Sequence, residues 1–184
     1  MSDPDLVYVQ VNLNDAFDDV KINKSFRCGD KTLDDYVTSG NLKRAIKSEN
    51  LHSTAICNEQ MELLGFMTVG FSLLDKARVK TYKGNQPKQL PVAKVFMIGI
   101  DQDHQRRGLG TDLMLEAFMK AVEVHATIPL KGVHLDAAPG KAAFYSDTFG
   151  FEALEGEGPH GTTPMYIPIE NVIAALLEAD DSDR

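Results

Sequence analysis

A charge-free run, Val95-Phe96-Met97-Ile98-Gly99-Ile100, leads into Gln105-Arg106-Arg107-Gly108-Leu109-Gly110-Thr111, and a long stretch of helical periodicity follows. Residues of these types in this order can seat a phosphate. The first turn of a helix exposes unpaired backbone N–H groups and the positive end of the helix dipole. Side chains at 108 and 110 would block a close approach, and the glycines remove them, while Arg106 and Arg107 add charge able to pair with a diphosphate. Two familiar phosphate loops are excluded: the dinucleotide fingerprint needs glycine at Leu113, and the P-loop needs a Gly-Lys-Ser/Thr ending. A tight turn beside a surface arginine pair is the plainer reading of the same residues.

The flanking elements give the glycines their setting. Residues 95–100 carry no charge and predict a short strand buried on both faces. Leu109, Leu113, Ala117, Ala121 and Val124 recur at helical spacing as an inner face, with Asp112, Glu116, Lys120 and Glu123 on the other side. The loop therefore joins a strand to a helix.

In that setting Gln105-Arg106-Arg107-Gly108-Leu109-Gly110 matches Q/R-x-x-G-x-G/A and resembles the signature of the GNAT superfamily of N-acetyltransferases. The resemblance continues through Gly132-Val133-His134-Leu135-Asp136, a helix with Phe144-Tyr145, and Gly150-Phe151, and covers about residues 24–170. It implies that the backbone amides of Gln105 to Thr111 hold the diphosphate of acetyl-CoA, the acetyl donor. It also implies that the pantetheine arm pairs with the backbone of Met97, Ile98, Gly99 and Ile100, with Gly99 a natural place for a bulge. A plain core strand with a glycine for packing uses the same residues.

Around that centre the chain reads as a strand over Leu6–Leu13, a helix capped by Asp30 with Leu33, Tyr36 and Val37 inward, and a second helix through Leu42, Ala45 and Ile46. Two strands follow, Leu51–Cys57 and Leu63–Leu74, joined at Asn58-Glu59-Gln60. Gly65 and Gly70 interrupt the second; a bulge or a close approach by another chain or ligand is one reading, and relief of twist the commoner one. Residues 76–94, with Gly84, Pro87 and Pro91, read as a loop. Beyond the central helix come a fifth strand over Val133–Ala137, a helix opened by Pro139-Gly140 and closed by Gly150, a strand over Met165–Ile169, and a short helix over Val172–Leu177 before an acidic, frayed end. The expected architecture is α+β, a three-layer α/β arrangement with a mixed sheet, splayed as in GNAT enzymes, and helices on both faces. One domain over 1–184 is expected, its core about 6–170 and its tail 171–184.

With acetyl-CoA as donor, a neutral amine attacks the thioester, an oxyanion forms and collapses, and the thiolate leaves. The oxyanion needs an N–H donor, expected among Met97 to Gly99, and the thiolate benefits from a hydroxyl acid. The family's helix places a tyrosine five residues before the phenylalanine of the Gly-Phe pair; here that position is Ser146, and Tyr145 is its neighbour. Adjacent helix positions point about 100° apart, so both cannot aim at one sulfur. Tyr145 is favoured because the Phe-Tyr pair is intact and a phenol reaches further; Ser146 stays open, as does Tyr145 as core packing. Asp101, His104, His134 and Asp136 are candidates for the base, with His134 and Asp136 expected on the strand face opposite the core. A water chain serves equally.

Composition narrows the classes. With 43% hydrophobic and 25% charged residues, the 184-residue chain is ordinary for a globular protein. No run approaches 18 apolar residues, and Met1-Ser2-Asp3-Pro4-Asp5 is unlike a signal peptide, so a cytoplasmic protein without a membrane partner is expected. Cys28 and Cys57 read as free thiols, and no metal-ligand spacing occurs. A net charge of −8 argues against coating nucleic acid, yet residues 76–94 hold Lys76, Arg78, Lys80, Lys83, Lys88 and Lys94 without an acid.

Phe26-x-Cys28-Gly29, Leu33-Asp34-x-Tyr36, Gly65-Phe66-Met67-Thr68-Val69 and Lys88–Pro91 further resemble the acetyltransferase toxins of toxin–antitoxin pairs. That resemblance implies the amino group of a charged tRNA as acceptor and an antitoxin protein as partner. A small amine, a peptide or a protein lysine is the second reading, and a CoA-binding sensor without turnover the third. The apolar Val172–Leu177 segment offers an interface for a homodimer.

Overall fold

Among the described residues, runs of β-branched and apolar residues between turn formers become seven strands of one sheet, and the amphipathic runs between them become helices. A computed structural model describes residues 7–48, 51–80 and 87–182. In chain order the elements are β1 (Val9–Asn12), α1 (Leu13–Ala16), α2 (Lys31–Thr38), α3 (Asn41–Lys47), β2 (His52–Cys57), β3 (Leu63–Asp75), β4 (Gln89–Ile100), α4 (Leu109–Thr127), β5 (Gly132–Ala137), α5 (Ala142–Phe149), β6 (Glu152–Ala153), β7 (Thr163–Pro168) and α6 (Ile169–Ser182). The sheet order is β1-β2-β3-β4-β5-β7-β6. It is mixed: β4 and β5 run parallel, and β1-β2, β2-β3, β5-β7 and β6-β7 antiparallel.

The chain folds as two compact units. The first holds the described residues up to Gly70 together with Phe96–Ala117. Its core gathers Leu13, Val37, Leu42 and Ile46 of the helices with Phe26, Ala55, Leu63 and Phe66, and the Phe26 and Phe66 rings meet edge-on with centroids 6.2 Å apart. Asp30 caps α2 by accepting from the Thr32 and Leu33 amides, and Asn12 caps α1 by accepting from Asn14. That second cap ends the first strand early: Leu13, expected in the strand, opens a helix, and Leu6 lies outside the described residues.

The second unit comprises Phe71–Val95 and the described residues from Phe118 onward. Leu74, Val79, Leu90, Val92, Leu154 and Tyr166 form one core, and Phe118 packs against Phe149 and Phe151 with centroids 5.8 and 5.9 Å away. Gly150, at φ 76, ends α5 in the left-handed conformation as expected.

Several expectations are corrected. β4 begins at Gln89, so the last six residues of the expected 76–94 loop are strand. Pro91 argued against a strand because it lacks an N–H, but its carbonyl still accepts from the Lys131 amide at 2.7 Å. The end of β4 is not buried on both faces: Phe96 is 45% exposed, and Met97 and Ile98 are half-buried. Val124, expected inward on α4, is exposed. At Gly65 the close approach, one of the two expected readings, is what the structure shows: a Cβ there would stand 2.4 Å from the Ile100 side chain and 3.1 Å from the Gly99 carbonyl oxygen. The acidic end is helical through Ser182.

Candidate active site

The turn between β4 and α4 is tied down from three directions in the first unit. The Asp101 carboxylate accepts from the Asp103 and Arg27 amides, both at 3.1 Å, and its own amide donates to Leu64 O at 2.8 Å. The Gln105 side-chain amide donates to Ile100 O at 3.0 Å and Cys28 O at 2.9 Å. The glutamine that opens the motif thus fastens the turn to the strand end and to the 26–28 segment. Asp101, offered as a base, is likewise occupied in holding the turn. His104 stands beside Asp101 and Arg27 in a polar cleft.

The loop itself is built from unusual backbone. Arg106 takes φ 63 and Gly108 φ 89, both left-handed. Hydrogen bonding into α4 begins with the Thr111 and Asp112 amides, which donate to Gly108 O at 2.8 and 3.1 Å. Arg107 donates to Asp103 O at 3.3 Å, and Arg106 is exposed. The two glycines differ in kind. Gly108 is required by its φ, whereas a Cβ at Gly110 would find nothing nearer than Ile100 Cγ1 at 4.0 Å. Neither conformation nor protein packing asks for glycine at 110. Gly99 is different again: a Cβ there would press on Phe66 Cε1 at 3.2 Å and on Cys28 at 3.4 Å. Burial pushes the Cys28 thiol up to about 12, which leaves it a packing residue.

In the second unit α5 presents its two candidate hydroxyls unequally. Tyr145 is half-buried, its ring edge-on to Phe144 and Phe151 with centroids 5.2 and 6.1 Å away. Burial raises its pKa, so the phenol keeps its proton at neutral pH. Ser146 is exposed and its hydroxyl turns back to Ala143 O at 3.4 Å.

The face of β5 expected to lie opposite the core is buried and polar. In register across the strands stand Lys94, His134 and Tyr166. Lys94 Nζ meets Asp136 Oδ2 at 2.7 Å, and His134, only 6% exposed, lies with Nε2 3.7 Å from Asp136 Oδ1. Its pKa is lowered to about 4, by burial first and then by the Lys94 and Arg78 charges, against which Asp136 pulls upward. The imidazole is neutral at pH 7. Lys94 is the residue the sequence reading missed as a partner here; a lysine among Val92, Ala93 and Val95 was the available signal. Arg78 and Lys80 are also engaged, Arg78 Nε donating to Glu155 O at 3.0 Å and Lys80 lying 3.7 Å from the Glu155 carboxylate. Lys83 lies outside the described residues. Pairing of β4 with β5 ends at Val95 and Leu135, although β4 runs on to Ile100.

The sequence profile described as "Acetyltransferase (GNAT) family" matches residues 23–151. The chain is 26% identical over 129 residues to a tRNA-acetylating toxin of Mycobacterium tuberculosis (strain ATCC 25618 / H37Rv), covering 70% of this chain and 76% of that protein. A crystal structure of a bacterial toxin aligns with a TM-score of 0.83 at 29% identity, over 93% of this chain and 96% of the other. The toxin AtaT, complexed with acetyl-methionyl-tRNAfMet, aligns with a TM-score of 0.78 at 21% identity, over 92% and 99%, a likeness of fold. Among the described residues no helix is long and apolar enough to cross a membrane.

Proposed function

The chain belongs to the GNAT family of acetyltransferases, and we propose that it transfers the acetyl group of acetyl-CoA to the amino group of an aminoacyl-tRNA. The observation that carries the donor side is Gly110, a glycine with an unstrained backbone and open space before it. What it makes room for is a ligand approaching the amides of Gly108, Leu109 and Gly110, which suits the diphosphate of CoA at a helix start. The acceptor side rests on the likeness to the tRNA-acetylating toxin.

In this reading the backbone of Met97 to Ile100 pairs with the pantetheine arm and one of its N–H groups meets the oxyanion. The amine nitrogen bonds to the acetyl carbon, the C–S bond breaks, and Tyr145 gives its proton to the departing sulfur. Tyr145 suits that role because its burial keeps the phenol protonated, while Ser146 is turned to its own helix. Gln105 holds the loop's shape, and Arg106 and Arg107 supply charge near the diphosphate. A cytoplasmic location follows from such a donor and acceptor, and the antitoxin partner belongs to the same proposal.

One observation favours a smaller acceptor instead. Lys94, Arg78 and Lys80 of the basic stretch all have protein partners, so fewer of its charges remain for an RNA backbone. The deciding experiment is transfer from labelled acetyl-CoA to bulk aminoacyl-tRNA at several salt concentrations. Labelled tRNA, with apparent affinity falling as salt rises, is the expected result. Thiol release with small amines alone would overturn the tRNA acceptor and keep the enzyme class; no release with any amine would leave a CoA-binding module.

A further inference from the structure

His134 is more than nine-tenths buried, yet among the described residues its Nε2 has no hydrogen-bond partner. Leaving such a group unpaired costs free energy, so the position calls for something to meet it. The 3.7 Å gap to Asp136 Oδ1 is too long for a direct hydrogen bond. It is the right width for one bridging donor about 2.8 Å from each atom, with its two bonds at an angle a tetrahedral nitrogen can supply. Asp136 is held from its other oxygen by Lys94 and keeps 18% side-chain exposure, so the carboxylate side of the gap is reachable from outside.

The loop before β7 is shaped around this carboxylate. Gly158 has an ordinary φ of −86, but a Cβ there would stand 3.1 Å from Asp136 Oδ1 and 2.3 Å from Thr162 Oγ1. Arg78, bonded to Glu155 O, fastens the same loop.

We propose that His134 Nε2 and Asp136 Oδ1 form the subsite for the acceptor's amino group, the amine donating one N–H to each, and that His134 Nε2 takes the proton the amine sheds. The inference rests on the acetyl-transfer reading above. As the nitrogen bonds to the acetyl carbon and the C–S bond breaks, one N–H proton moves to His134 Nε2. The imidazolium formed is met by the Asp136 carboxylate, and the proton then passes to solvent. The groups facing the imidazole are Lys94 from β4, Asp136 on its own strand, Arg78 from the 76–78 turn, and Tyr166 from β7, whose hydroxyl is engaged with Lys131 O at 2.5 Å.

Two measurements test this. In steady-state thiol release, His134→Gln should lower kcat about a hundredfold with the KM for acetyl-CoA unchanged. Lys94→Met, by removing a cation that holds the imidazole neutral, should move the acidic limb of kcat to higher pH, a shift a purely structural histidine would not produce. In the wild-type protein, the imidazole ¹⁵N resonances of His134 should shift on addition of glycinamide. His134→Gln within twofold of wild type at every pH would overturn the proposal. So would resonances unmoved by glycinamide, which would leave the gap to a buried water. A glycinamide shift without thiol release would uphold the subsite and sink the acetyl-transfer reading instead.

Discussion

The loop at 105–111 and the helix at 142–149 are asked for different kinds of work, and they encode it differently. In the proposed reaction the loop acts through its backbone: Arg106 and Gly108 take left-handed conformations, and Gly110 leaves open space at the helix start. The helix would act through one side chain, and what distinguishes Tyr145 from Ser146 is its surroundings, two aromatic rings and partial burial. A backbone device depends on which residues permit a conformation, so it leaves a short motif in the sequence. A side-chain device depends on neighbours distant in the chain and leaves only a residue type.

The largest expected effect is at Gly108. Replacement by valine forces a β-branched residue to φ 89 and displaces the amides that follow. Loss of two charge-assisted hydrogen bonds weakens acetyl-CoA binding by about a hundredfold or more, read by titration calorimetry. Unchanged affinity would end the claim that the loop works through its backbone.

Tyr145→Phe is expected to lower kcat by roughly 10²–10³ with little change in the KM for acetyl-CoA. Because burial raises the phenol's pKa, the wild-type rate should not fall through deprotonation of Tyr145 before about pH 10. A basic limb near neutrality that disappears in the phenylalanine variant would contradict that assignment.

Acid titration gives a test in the second unit alone. The folded pKa of His134 is depressed to about 4 from an ordinary 6.5, so the unfolded chain binds the extra proton first. The contribution is complete above pH 6.5 and is lost as pH falls toward 4, by roughly 3 kcal/mol if the whole shift is realised. Denaturant unfolding between pH 7 and 4 should show this loss, and His134→Gln should flatten it.

Gly110→Ala separates the two glycines. The fold should be unharmed, or firmer by up to about 1 kcal/mol from helix propensity, while acetyl-CoA affinity falls about tenfold. Thermal unfolding and ligand titration on one sample measure both. An alanine that leaves affinity intact would show that nothing approaches there. Smallest of all, Ser146→Ala should stay within about twofold of wild type in kcat, and a large loss would exchange the roles on the helix.

Much of the fold was legible because periodicity and caps are local. Asp30 capping α2, Gly150 ending α5, and the glycine loop between β4 and α4 can each be read within a few residues. The start of β4 was not, since Pro91 is a breaker by its own chemistry and only its carbonyl's bond to Lys131 shows how a strand retains it. The role of Gln105 was hidden for a similar reason: its two carbonyl partners, Ile100 and Cys28, come together only after folding.

By itself the sequence determined most of the elements, the glycine loop between strand and helix, and the family, because these rest on conformational preferences carried by short runs of residues. Only the tertiary structure set Tyr145 apart from Ser146, and only it paired Lys94 with Asp136 and buried His134 beside them. Burial and cross-strand register join residues some forty positions apart, and no local spacing records which partners they will find.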